Sequence, residues 1–124
     1  MIQIISIAIG GALGALCRHG MTMGISSLIG RGFPYGTLVV NILGSFLMGA
    51  AYVIMVEEIN VNPEWRVGIT IGLLGAFTTF STFSIETLNL LESGDAFKAG
   101  LNILLSISFC MLGCWLGMII GRQS

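Results

Sequence analysis

Long apolar stretches separated by brief polar punctuation run through the whole chain. They extend from about residue 2 to 29, 33 to 56, 67 to 91 and 97 to 120. Each is longer than the roughly 20 residues a helix needs to cross a bilayer. The interruptions are Gly30-Arg31-Gly32, then Glu57 to Arg66 with Asn60, Asn62 and Pro63, then Glu92-Ser93-Gly94-Asp95. Backbone groups in lipid must hydrogen-bond within their own segment, so the pattern predicts four transmembrane helices. Such tight connections predict an up-and-down bundle forming one domain over 1–124, with both termini on one side.

Composition removes the competing class. Of 124 residues, 55% are apolar and only 9% charged, against about 25% charged in a soluble domain. With a mean hydropathy of +0.96, the chain cannot cover a water-facing surface. The fold class is therefore all-α integral membrane, and four spans leave no length for a domain outside it. A net charge of −1 with no basic or acidic block gives nucleic acid nothing to bind. The start, Met1-Ile2-Gln3, lacks a positive n-region, so the first segment is expected to be retained.

Cys17, Cys110 and Cys114 are an odd number within apolar segments, which argues against a disulfide framework. Cys110 and Cys114 are one helical turn apart without a His or acid nearby, and read as packing residues rather than a metal site. No nucleophile–base pair or phosphate loop occurs, so no enzyme is expected.

Glycine and arginine refine the picture. Gly10/Gly14, Gly20/Gly24, Gly68/Gly72 and Gly113/Gly117/Gly121 have the four-residue spacing that lets helix backbones touch. Four short, closely packed helices leave no room for a pore inside one chain, so a conduit is expected between subunits. Arg66 and Arg122 lie on one side, and Arg31 and Lys98 on the other, with Arg18 toward that end. The level count is compatible with insertion in both orientations and antiparallel pairing.

Polar groups at membrane depth are costly and mark candidate function. The sharpest cluster is Thr78-Thr79-Phe80-Ser81-Thr82-Phe83-Ser84, which puts five hydroxyls at the middle of the third segment, just after Gly72 and Gly75. Single hydroxyls bond back to their own turn, but five in seven residues predict a broken third helix with freed carbonyls. Carbonyls are acceptors, so they suit a cation and not an anion. Phe80 and Phe83 share a helical face, and the positive edges of their rings suit a small anion.

Thr37, Asn41 and Ser45 form a ladder on one face of the second helix, and Asn41 supplies an amide donor within the span. Arg18 is in register with Ser6, Gly10 and Gly14 and projects toward the bundle. Glu86 is the one carboxylate well inside a span, and Ser106 and Cys110 form a further polar pair on the fourth helix.

Several of these stretches resemble the Fluc (CrcB-type) family of bacterial fluoride channels. They are Gly10-Gly11-Ala12-Leu13-Gly14-Ala15 with Arg18, Gly36-Thr37-Leu38-Val39-Val40-Asn41 with Gly44-Ser45-Phe46, and Gly72-Leu73-Leu74-Gly75-Ala76-Phe77-Thr78-Thr79-Phe80-Ser81-Thr82-Phe83 with Glu86. The resemblance covers helices 1 to 3, and it implies an antiparallel, dual-topology homodimer in the bacterial inner membrane that lets fluoride leave the cell passively. It further implies two pores lined by Phe80, Phe83 and Asn41, with Thr37, Ser81, Thr82, Glu86 and Ser106 in the polar track. Arg18 would stand at the vestibule. Gly75 and Thr78 would offer backbone carbonyls to a structural sodium ion at the dimer centre. His19, Asn102 and Cys110 depart from the family pattern, the last two standing where Tyr and Ser are expected.

A different class also fits four helices and dual topology: a small multidrug-type, proton-coupled exporter. It needs a carboxylate in the first helix, and the first acidic residue here is Glu57.

Overall fold

In the computed structural model, which describes residues 1–58 and 61–123, four helical stretches are long and apolar enough to cross a membrane: Ile2–Ile29, Tyr35–Glu57, Pro63–Glu92 and Ala96–Gln123. Asn60, in the second predicted connection, lies outside the described residues. Helix α1 (Ile2–Ile29) ends at Gly30, whose φ of 106° is a conformation that side chains disfavour. Helix α2 (Tyr35–Tyr52) starts after Pro34 and continues through wider π-helical turns at Val53–Glu58.

The third span is the composite one. Helix α3 (Pro63–Val67) has Pro at its first position, where a missing N–H costs nothing, and so begins before the apolar run does. A π-helical stretch follows (Gly68–Leu74), then one turn of helix α4 (Gly75–Phe77). At Thr78 (φ −85°, ψ 158°) and Thr79 (φ −152°, ψ 118°) the backbone is extended. Helix α5 (Phe80–Glu92) then resumes. A turn through Gly94, φ 88°, leads into helix α6 (Ala96–Gln123).

Packing joins α1 to the third span and α2 to α6. In both pairs glycine sets the separation. A Cβ on Gly10 would lie 2.2 Å from the Gly68 carbonyl oxygen, and one on Gly14 2.1 Å from that of Leu73. On the other pair, a Cβ on Gly117 would meet the Phe46 carbonyl at 2.0 Å, and one on Gly49 that of Cys114 at 2.1 Å. Dispersion between touching backbones replaces the hydrophobic drive that lipid removes. The expected Gly20/Gly24 contact is not made within the chain: a Cβ at either position would meet nothing within 4 Å. The spacing that permits close approach does not supply the partner.

Two ion pairs mark the two ends. Arg122 meets Glu57 at 3.4 Å, and Lys98 meets Asp95 at 3.5 Å while also donating to the Gly32 carbonyl. All four side chains are substantially exposed, so these pairs position loops more than they stabilise the fold.

Candidate functional site

Interrupting a helix at membrane depth exposes peptide groups that lipid cannot satisfy. The interruption at Thr78 and Thr79 is resolved almost entirely by side chains from elsewhere. Asn41, on α2, faces Thr79 and makes both bonds to it. The Thr79 N–H donates to Asn41 Oδ1 (2.7 Å), and Asn41 Nδ2 donates to the Thr79 carbonyl (2.9 Å). One amide thus replaces the two lost helical partners. Because the backbone donor and acceptor are fixed, so is the orientation of the amide, and its second N–H remains for another acceptor.

The flanking turns are capped as well. Thr79 Oγ1 accepts from the Thr82 N–H at 3.1 Å, a Thr N-cap for α5. The Thr82 hydroxyl is 3.0 Å from that of Thr79, and Ser81 Oγ is 3.4 Å away. At the end of α4, the Ala76 carbonyl accepts from Arg18 Nε at 3.1 Å. A guanidinium at the negative end of a helical turn is the favourable polarity. Arg18 points into the bundle, as its register with Gly10 and Gly14 predicted.

Two backbone oxygens are left differently. Among the described residues the Gly75 carbonyl receives only the Thr78 hydroxyl, at 3.5 Å. The Thr78 carbonyl accepts no hydrogen bond among the described residues.

Beside the interruption lies a cleft of about 360 Å³, lined by Asn41, Thr78, Thr79, Phe80, Phe83 and Ser106 together with Gly44, Ser45 and several sulfur-bearing side chains. The two Phe rings are 5.3 Å apart between centroids and inclined at 47°. Phe83 is buried, 8% exposed, whereas Phe80 is 77% exposed on the surface of the single chain. The cleft combines ring edges, hydroxyls and an amide, a set that donates to anions without a full positive charge.

A second cavity of about 510 Å³ opens toward the Gly30 end, lined by Thr37 and Glu86 with Thr22, Ser26, Arg31 and Asp95 among others. The sequence-predicted residues therefore divide. Asn41, Phe80, Phe83 and Ser106 share the first cleft, and Thr37 and Glu86 share the second. Ser81 and Thr82 join the cap of α5, and Arg18 holds α4. Glu86 Oε1 is buried and has no hydrogen-bond partner among the described residues.

Sequence reasoning missed a buried chain of bonds beneath Phe83. The Thr87 hydroxyl donates to the Phe83 carbonyl (2.7 Å), Asn102 Nδ2 donates to Thr87 Oγ1 (2.9 Å), and Ser106 Oγ reaches Asn102 Oδ1 at 3.5 Å. Asn102 is 2% exposed. Thr87 and Ser106 stand out as hydroxyls, but the partnership depends on how α5 and α6 align, which spacing along one chain does not reveal. Among the described residues no three His, Cys, Asp or Glu side chains come together as a metal site.

Comparison with known proteins places the chain. Residues 5–118 match the family model described as CrcB-like protein, Camphor Resistance (CrcB). Three similar proteins carry the name fluoride-specific ion channel FluC. The one from Geobacter sulfurreducens is 46% identical over 123 residues, covering 99% of both chains. The Shewanella amazonensis protein is 50% identical over 117 residues, 94% of each. The Methylococcus capsulatus protein is 46% identical over 122 residues, 98% of this chain, which spans only 54% of that longer relative. Four membrane-crossing helices and near-complete alignment to these relatives lead to one conclusion: the chain belongs to the CrcB family of multi-pass membrane proteins.

Proposed function

We propose that the chain is the subunit of a fluoride-selective channel that lets fluoride leave the cytoplasm passively across the bacterial inner membrane. The observation that carries the reading is the first cleft, which Asn41, locked by Thr79, lines together with Phe80 and Phe83. Fluoride is small and strongly hydrogen-bonding, so a narrow site of fixed donors and ring edges compensates its lost water. Larger anions gain less from the same donors. The names of the relatives agree with this chemistry.

Thr37, Asn41 and Ser45 climb α2 in successive turns and link the second cavity to the first. The anion is proposed to enter past Thr37 and Glu86, pass Phe83 and Phe80, and leave along Ser106, with Ser81 and Thr82 close to the track. Arg18 uses Nε on Ala76, and its remaining N–H groups draw anions toward the vestibule.

The assembly proposed is an antiparallel, dual-topology homodimer. Phe80 lies largely exposed on the single chain and would be covered by the partner. The Gly75 and Thr78 carbonyls suit sodium, being hard oxygen donors that no strong hydrogen bond occupies. Two chains would supply four such oxygens at the dimer centre, where the cation would add positive charge between two anion paths. The proton-coupled exporter is disfavoured by the family match and by a first helix without a carboxylate.

Purified protein in liposomes loaded with fluoride or chloride, followed by ion-selective electrodes, tests the reading. Fluoride efflux far faster than chloride, without a proton gradient, is expected. Equal rates would refute it.

A further inference from the structure

The first cleft is lined by four sulfur-bearing side chains. Cys110 and Cys114 on α6 both line it, as do Met111 on the same helix and Met48 on α2. The two thiols are four residues apart, hence neighbours on one face with Cβ atoms about 5–6 Å apart, and Met111 is three residues from Cys114. Met48 approaches from the facing helix. Both cysteines are partly exposed. Cys110 lines the cleft together with Ser45 of α2. The close approach of α2 and α6 is set by Gly113, Gly117 and Gly49, the last against the backbone of Cys114. Cys17, the third cysteine, is exposed on α1 and does not line the cleft.

We propose that Cys110, Cys114, Met48 and Met111 form a binding site for a soft monovalent d10 cation of the silver(I)/copper(I) class. Thiolate and thioether donors together select soft cations over sodium or magnesium. Charge favours a monovalent ion. One thiol gives its proton to water and binds as thiolate, and the resulting pair is neutral. The second thiol and the two thioethers complete the shell without adding charge at membrane depth, where uncompensated charge is costly. Occupancy would draw the sulfur side chains together across the cleft beside Ser106 and Phe83 and narrow it. Block of anion flux is therefore the consequence, and this part rests on the cleft being the anion path proposed above.

Silver nitrate in chloride-free medium is the probe, because silver fluoride is soluble. The binding arm needs no flux. Purified protein is mixed with silver, freed of excess by gel filtration, analysed for metal, and alkylated with N-ethylmaleimide before mass spectrometry. One silver per chain is expected, with Cys110 and Cys114 protected and Cys17 still alkylated. Equal protection of all three cysteines, or of none, would overturn the site. In parallel, Cys110→Ser and Cys114→Ser should each raise the half-saturating silver concentration by at least the roughly 10–100-fold seen when an outer-shell partner of a metal is lost. Cys17→Ser should leave it unchanged, and an unchanged value in all three variants would equally overturn the site.

The flux arm adds silver to fluoride-loaded liposomes. Silver should stop efflux in the wild type and in Cys17→Ser but not in the other two. Full silver binding with undiminished fluoride efflux would leave the metal site standing and remove the cleft from the anion path.

Discussion

Asn41 and the two Phe residues meet at the cleft but have separable duties. Asn41 stabilises the interruption by bonding both peptide groups of Thr79. Asn41→Ala would orphan both, and each unsatisfied buried group costs about 1–3 kcal/mol. A clear loss of stability in denaturant titrations of the purified protein, together with loss of flux, is the expected outcome. Phe80→Ile and Phe83→Ile leave the backbone bonds intact and remove only the ring edges. Flux should vanish in each while the dimer persists on size-exclusion chromatography. If either variant conducts like the wild type, the rings do not serve the anion. At this scale the sequence was informative about residue type. A Thr-rich run around two Phe at mid-span stands out in any reading, and so does an Asn in an apolar helix. What it hid was pairing: that Asn41 spends one N–H on Thr79, and that Arg18 spends one on Ala76.

Among the elements, glycine spacing gives a graded test. Gly10→Ala puts a Cβ 2.2 Å from the Gly68 carbonyl, a backbone atom that cannot yield. Gly20→Ala meets nothing within 4 Å. The first should destabilise α1 against the third span, by at least the 1–3 kcal/mol typical of overpacking. The second should leave the single chain's stability within about 0.5 kcal/mol. The two sites share a spacing, so only the packed structure separates them. The same holds for the alignment of α5 with α6. Thr87→Val removes the acceptor of the buried Asn102 amide and the donor to the Phe83 carbonyl, at a cost of about 1–3 kcal/mol. Thr87→Ser, which keeps the hydroxyl, should retain the wild-type stability in denaturant titrations. Helix positions were legible because charge and proline fall between apolar runs. The π-helical stretch Gly68–Leu74 was not, since no residue type specifies wider turns.

Taken whole, the molecule exposes most of its large apolar side chains, as lipid permits, and it divides the proposed path between two cavities. That division could not be read along the chain, because it depends on how α2 and α5 cross: Thr37 and Glu86 fall on one side, Asn41 and Phe83 on the other. Neither cavity is an enclosed pore within the single chain, and the level distribution of Arg and Lys gives neither end a preference. With one cysteine introduced in the Glu92–Asp95 loop of a cysteine-free background, a membrane-impermeant thiol reagent should label part of the population from each side of sealed vesicles. Labelling from one side only would contradict dual topology. The central claim, a selective passive path for fluoride, is tested most directly by anion efflux from liposomes carrying the purified protein. Rapid fluoride efflux with chloride retained, unaffected by collapsing the proton gradient, is the expected result. Chloride leaving as fast as fluoride, or fluoride efflux that stops when the proton gradient is removed, would contradict it.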